Sequence, residues 1–243
     1  GERPSHPELL DCLAVEFSKR GWSIKQMHRL IMNSRTFRQS NSITTENRKR
    51  DPQNRLLSRM PIRRMNAEAL RDSLLFVSGK LQNDPGGIPD TVSVDRNGQV
   101  TANPTAEGLW RRSVYLQYRR TEIPTMMGSF DYPEMGPNCV ARTVSTVSPQ
   151  SLMLMKNHRV YRLAGAFAER VAELLDPGNR HDTSAKIDLV YQLALSRLPS
   201  DREREIGRQG LRELETHWKG DRQAALATYC HTIFNSAAFL YVD

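Results

Sequence analysis

The run from Asn54 to Asp72 concentrates the side chains best suited to chemistry. Arg55 and Arg59 fall four apart, which on a helical turn places both on one face. Pro61 then ends that turn and presents Arg63 and Arg64. A guanidinium directs a fork of N–H donors at one carboxylate, sulfate or phosphate, so the cluster suits anion recognition. The structural alternative pairs these arginines with Glu68, Asp72 and other acids. A second group, Tyr115, Tyr118, Arg119 and Arg120, sets aromatics beside arginines and suits stacking on a sugar or a base. If this stretch is a strand, alternation sends Tyr115 and Tyr118 to opposite faces, one of them into the core. A third group begins at Phe130-Asp131-Tyr132-Pro133 and continues through Cys139, Arg142, Ser145, Thr146, Pro149 and Gln150 to Asn157. It leads hydrogen-bonding side chains into a helix N-terminus, itself a place for anions. As nucleophiles, Cys139 and Ser145 have no adjacent base in the sequence. The alternative has Thr146 or Ser148 cap the helix while Asp131 fixes the loop. The candidate binding residues are therefore Arg59, Arg63, Arg64, Tyr118, Arg119, Arg120 and Arg142. The candidate loop site comprises Asp131, Cys139, Ser145, Thr146, Gln150 and Asn157.

Other chemistries leave no trace. There is no GxxxxGK[ST], GxGxxG or GxSxG sequence, so the nucleotide-binding and serine-hydrolase signatures are missing. The six histidines, His6, His28, His158, His181, His217 and His231, lack HExxH spacing, and adjacent Cys230 and His231 on one helix do not face a single ion. No metal is expected. Cys12, Cys139 and Cys230 form no CxxC or CxxCH pattern, which excludes a zinc ribbon or an attached haem in this segment. The formal charge of +8 comes from 35 Lys and Arg against 27 Asp and Glu, and 28 of the 35 are arginine. Arginine bias follows either from anion binding or from codon usage in a GC-rich genome. Nucleic acid is disfavoured as a partner, because charge alone sets an electrostatic footprint without specificity.

The elements that must position these groups are mostly helical. Ser5 is expected to cap a first helix with a capping box at Glu8, and Ser23 a second with Gln26. Their apolar residues, Leu9, Leu10, Leu13 and Phe17 against Ile24, Met27, Leu30 and Ile31, predict a helical hairpin. A short helical turn is expected over Arg55–Met60, and Asn66 caps the next helix. Residues 83–108 are rich in Pro, Gly and Asn, with Asn97-Gly98 predicting a two-residue hairpin loop between Val92 and Thr101. Ser113–Tyr118 reads as another strand, and residues 122–141 as a long irregular segment of the kind that often carries function. Helices resume at Pro149, with Ser200 and Glu203 forming a further capping box. The expected fold class is mainly α, one helical domain over 1–243 with a small β-hairpin and loop insertion in the middle: 1–82 N-terminal helices, 83–148 insertion, 149–243 C-terminal helices. No apolar run approaches the roughly 20 residues that cross a bilayer. The start at Gly1, without Met, predicts a fragment of a longer multidomain chain.

Several motifs, in order, resemble a known family across nearly the whole length. They are Ser5-His6-Pro7-Glu8-Leu9-Leu10, Gly21-Trp22-Ser23, Arg38-Gln39-Ser40, Asn54-Arg55-Leu56-Leu57, the run from Arg63 to Asp72, Phe130-Asp131-Tyr132-Pro133, Ser145-Thr146 with Gln150, and Phe239-Leu240-Tyr241-Val242-Asp243. The chain resembles the C-terminal portion of domain of unknown function 1553, the PSD domain of planctomycete cytochrome-associated proteins. It departs at Ala237-Ala238 and at Ser196-Arg197-Leu198, where a Glu before the terminal Phe and a Gly-Arg-Pro are more usual. The resemblance implies an exported, extracytoplasmic parent with haem c in an upstream part, a link to polysaccharide degradation, and no established catalytic residues. The expected role is binding or scaffolding, with the upstream domains and an anionic polysaccharide as partners. The rival expectation makes the loop from Asp131 to Asn157 part of a hydrolytic or redox site completed by those domains.

Overall fold

A computed structural model describes residues 3–133, 139, 142–180 and 182–242. Of the readings above, His181, Asp243 and residues 134–138, 140 and 141 of the long loop lie outside the described residues. The chain forms two units, residues 1–63 and 64–242. Its secondary structure is mainly α, as expected.

The first unit holds α1 (Pro7–Lys19), α2 (Ile24–Met32) and α3 (Thr45–Arg50). Ser5 does not cap α1. The N-cap is His6, Pro7 already fills the first turn, and the Ser5 hydroxyl lies 2.9 Å from His6 Nδ1 instead. Gly21 and Trp22 both take left-handed conformations and reverse the chain, letting Trp22 meet Phe17 edge-on at 5.2 Å. Ser23 caps α2 through the Gln26 N–H as expected. No residue of α1, α2 or α3 is buried.

The helical turn expected over Arg55–Met60 is absent, and side chains explain why. Asp51 accepts the N–H groups of Arg55 and Leu56 at 2.8 Å each, while Asn54 receives the Arg59 N–H and donates to its carbonyl. Asn54 and Leu57 sit at positive φ. Asx side chains that capture nearby amides compete with helix formation. Arg55 and Arg59 therefore share no helical face, and Arg59 is spent on the carbonyls of Asp51 and Pro52.

β1 (Arg63–Arg64) leads into α4 (Ala67–Val77) of the second unit, whose first turn Asn66 caps through the Ala69 N–H at 2.8 Å. The middle of the chain carries short strands. Parallel β2 (Leu81–Gln82) pairs with β5 (Trp110–Arg111), and β3 (Val92–Val94) runs antiparallel to β4 (Val100–Ala102). That hairpin closes with three residues rather than two. Asp95 donates to Gln99 and accepts from Gly98, which takes φ +76°, the arrangement of a type I turn with a glycine bulge. Asp95 Oδ1 adds bonds from the Asn97 and Gln99 N–H groups and holds the wider loop. The strand expected over Ser113–Tyr118 is a 3₁₀ turn at Ser113–Tyr115 followed by a single bridge from Asp90 to Leu116. Neither Tyr115 nor Tyr118 is fully buried; Tyr115 lies under the Arg111 guanidinium, and Tyr118 beside Tyr132.

The helices after this insertion are α5 (Thr125–Ser129), α6 (Ser148–Lys156), α7 (His158–Leu174), α8 (Thr183–Leu195), α9 (Asp201–His217), α10 (Arg222–Phe234) and α11 (Ala237–Leu240), followed by β6 (Tyr241–Val242). The core of this unit forms around α7 and α10, where Phe167 stacks on Phe234 at 5.5 Å and Phe239 closes on Phe234 at 5.1 Å. Leu70 and Leu74 of α4 join it. Cys230 is buried there and its thiol is pushed up by burial, while His231 turns its ring nitrogen to the Leu154 carbonyl. Ser200 and Glu203 form the expected capping box on α9. A bidentate Arg197 contact, with the Ser200 bonds, holds Glu203 down at about 2.

Two glycines of α9 make opposite predictions. A Cβ on Gly207 would meet Tyr229 Oη at 2.7 Å and Ile187 Cδ1 at 3.1 Å, whereas one on Gly210 meets nothing within 4 Å. Alanine in a helix gains up to ~1 kcal/mol over glycine, and overpacking a core costs ~1–3 kcal/mol. Gly210→Ala is therefore expected to stabilise by about 0.5–1 kcal/mol. Gly207→Ala should destabilise by about 1 kcal/mol net. Urea midpoints of the two variants check the signs.

Candidate functional site

The loop residues singled out by sequence meet around one carboxylate. Asp131 takes φ +61°, a conformation Asp tolerates better than most residues. This turns its side chain back to accept the Ser145 N–H and hydroxyl at 2.8 Å each and the Arg64 guanidinium at 2.6 Å. Gln150 Nε2 reaches Ser145 Oγ at 3.0 Å and lies 3.5 Å from Asp131 Oδ2, while its Oε1 accepts the Val147 N–H. Arg64 is itself almost fully enclosed, lies over the Phe130 ring at 5.2 Å, and donates to the Met65 carbonyl. Burial alone would raise the Asp131 pKa. The Ser145 bonds, the Arg64 charge and Gln150 outweigh it, and the carboxyl ends below its usual value.

A second pairing stands beside this one. Glu68, in the first turn of α4, takes both Nη atoms of Arg142 at 2.8 Å, and that bond raises the arginine's pKa. Tyr132, next in the chain to Asp131, lies near the Glu68 and Arg142 charges and 6.0 Å from the Tyr118 ring between centres. Glu68 and Asp72, the expected partners of the first arginine cluster, are both paired, but chiefly with distant arginines, Asp72 also lying 3.5 Å from its neighbour Arg71. Arg142 takes Glu68; Arg112 and the Ser113 N–H and hydroxyl take Asp72.

The remaining candidates disperse. Arg119 pairs with Glu122 three residues on, and Arg63 and Arg120 are exposed. Arg59 belongs to the loop of the first unit described above. Cys139 and Thr146 are exposed. The helix after Thr146 starts from Val147, held by Gln150, so neither Thr146 nor Ser148 is its cap. Asn157 caps α7 through the Arg159 N–H and donates to Gln99 across the hairpin. Among the described residues, no group of three or more His, Cys, Asp or Glu side chains is placed to hold a metal ion.

The motif residues Arg64, Asp131, Ser145 and Gln150 thus make one structural unit although up to 86 positions separate them, Arg64 from Gln150. A family model described as "Protein of unknown function (DUF1553)", PSD1, matches residues 1–211. The chain belongs to the DUF1553 family. No curated protein and no solved structure matches it. The DUF1553 match takes in the whole Asp131 network and ends within α9.

Arg71 lies in the arginine-rich run but is not among the candidate binding residues that the sequence suggests. It occupies the buried stripe of α4 with Ala67, Leu70 and Leu74, where a charged side chain is out of place unless something answers it. Its signal was present: an arginine four residues after one core alanine and three before a core leucine.

Removing the central carboxylate leaves Arg64 enclosed and unpaired. Asp131→Ala is expected to cost about 2–4 kcal/mol. The pKa direction also sets a pH dependence. With its folded pKa below the unfolded one, Asp131 contributes stability that is complete above the unfolded carboxyl range and lost as pH falls through the folded value. Denaturation curves between pH 6 and pH 2 should therefore converge for wild type and Asp131→Ala toward the acid end (about pH 2–6 spans this carboxyl range). A gap that stays constant with pH would contradict the assignment.

Proposed function

We propose that this DUF1553 chain is the helical binding and scaffold module of an exported, c-type-cytochrome-associated protein that acts in polysaccharide degradation, with any haem carried elsewhere in the parent. The observation that carries the scaffold role is the engagement of both Asp131 oxygens in structural bonds. That carboxylate accepts from Ser145, Arg64 and Gln150, and its depressed pKa makes it a weak base. A hydroxyl that donates to such a carboxylate is positioned, not activated, since a general base works best with a pKa near the operating pH. The same bonds clamp the loop before α6 to the entrance of α4, which is what a scaffold requires.

The first unit supports the binding role. Within it no residue of α1 or α2 is fully buried, and Leu10, Trp22, Ile24 and Met32 are each more than half exposed. Apolar helix faces of that kind suit contact with other domains of the same polypeptide.

The test compares the full-length parent with this 243-residue chain for glycan binding, glycan cleavage and redox turnover. The expected outcome is cleavage or redox turnover by the parent and none by the chain. Ser145→Ala in the parent should then change thermal stability while leaving turnover within about twofold of wild type, because the residue fixes a loop. Turnover by the isolated chain, abolished by Ser145→Ala, would replace the scaffold reading with a catalytic one.

A further inference from the structure

A cleft of about 360 Å³ opens in the second unit between α4, α7, the β3–β4 hairpin and the segment leading into α5. Its volume lies at the lower end of the range for small-molecule sites, ~300–1,000 Å³. One part of the wall is apolar, made by the half-buried Val100, Trp110, Met126 and Leu163 with the buried Leu74, Met127 and Val160 behind them. The charged lining residues are Arg71, Lys80, Arg159 and Arg162, and none of the lining residues is acidic.

These cations are not equally occupied. Arg159 spends its guanidinium on the Ala102 carbonyl and Thr101 hydroxyl of the hairpin. Lys80 and Arg162 make no side-chain hydrogen bond or ion pair among the described residues. Arg71 is more than nine-tenths buried. Its Nη1 serves the Arg111 carbonyl and the Ser113 hydroxyl and lies 3.5 Å from Asp72; Nε and Nη2 have no partner among the described residues. The acids nearby are mostly committed: Asp72 is shared between Arg71 at 3.5 Å, Arg112 and Ser113, Asp90 goes to Arg111, and Asp95 to its own turn. Burial pushes the Arg71 guanidinium down to about 10, and its Nε and Nη2 stand open at the cleft lining.

We propose that this cleft binds a small organic carboxylate with an apolar body, its head on Arg71 and its body against Val100, Trp110, Met126 and Leu163. A planar carboxylate matches a guanidinium fork and completes the donors that the fold leaves open. An inorganic phosphate fits poorly, since it would surrender its hydration to an apolar wall. A sugar fits poorly for the converse reason, because its hydroxyls need more polar partners than this wall provides. Lys80 and Arg162 add long-range attraction for the same charge.

Isothermal titration with decanoate, kept below its micelle concentration, tests the proposal against two comparators: decanol has the body without the charge, and acetate has the charge without the body. A charge-assisted hydrogen bond contributes ~1.5–3 kcal/mol, so decanoate should bind at least about tenfold more tightly than decanol. It should exceed acetate by a similar or larger factor. The double variant Lys80→Ala/Arg162→Ala should weaken decanoate about three- to tenfold with an unchanged melting temperature, a loss of roughly one charge interaction each at a partly exposed site. Arg71→Met should abolish binding; if that variant does not fold, the double variant decides. Decanol binding as tightly as decanoate, no heat with decanoate, or unchanged affinity in the double variant would each overturn the proposal.

Discussion

Irregular backbone leaves carbonyls without sheet or helix partners, and in this protein arginine forks answer many of them. Arg111 donates to the Gly86 and Ile88 carbonyls and to Asp90; Arg71 to the Arg111 carbonyl; Arg159 to Ala102; Arg170 to Phe76 and Val77 at the end of α4. Buried peptide groups must be paired with something. The middle third has too few strand residues to pair them among themselves, so guanidiniums carried by the helices and by β5 tie the insertion down. The arginine bias thus has a folding explanation that requires no external anion. Asp131 extends the same logic with the signs reversed, a loop carboxylate gathering donors from three separate stretches of chain.

That logic also explains what sequence could and could not disclose. Caps at Ser23, Asn66 and Ser200 are readable because both partners lie within three or four residues. The hairpin at Asn97-Gly98 is readable for the same reason, though Asp95 widened its loop by accepting two further amides. Where local rules failed, another side chain had intervened nearby or from afar. Asp51 and Asn54 took the amides a helix over Arg55–Met60 would have used, and Asp72 took the Ser113 amide and hydroxyl, bending a presumed strand into a 3₁₀ turn. Arg111 and Arg112 have no acid close by in sequence, and their partners come from elsewhere in the chain. In the fold Arg111 meets Asp90, Arg112 meets Asp72 and Arg119 meets Glu122. Of the candidate site residues, Asp131, Ser145 and Gln150 do meet, and Arg64 joins them, a long-range pairing that spacing alone does not specify.

The cleft is the counterpart of this economy. Elsewhere a buried guanidinium is surrounded by carbonyls or a carboxylate, whereas Arg71 satisfies one nitrogen and turns toward an apolar wall. Helix α4 contributes both arrangements. Its first turn carries Glu68 to hold Arg142, and Arg71, less than one turn later, lines the cleft. Stability and binding are therefore drawn from two positions three residues apart on a single helix.

Lysine would not serve in these places. Arg111 reaches three acceptors while its guanidinium plane lies 4.4 Å from the Tyr115 ring centre, and Arg64 bonds Asp131 while covering Phe130. An ammonium offers a compact, strongly hydrated charge that neither fans across separated carbonyls nor stacks on a ring. Both forks carry a cost, since Nε of Arg64 and of Arg111 is buried without a partner among the described residues. An unmet donor costs ~1–3 kcal/mol, and the fold bears that twice. The forked contacts must be worth more than the lost amine bonds, which makes arginine at 64 and 111 a requirement of the architecture and not an accident of base composition.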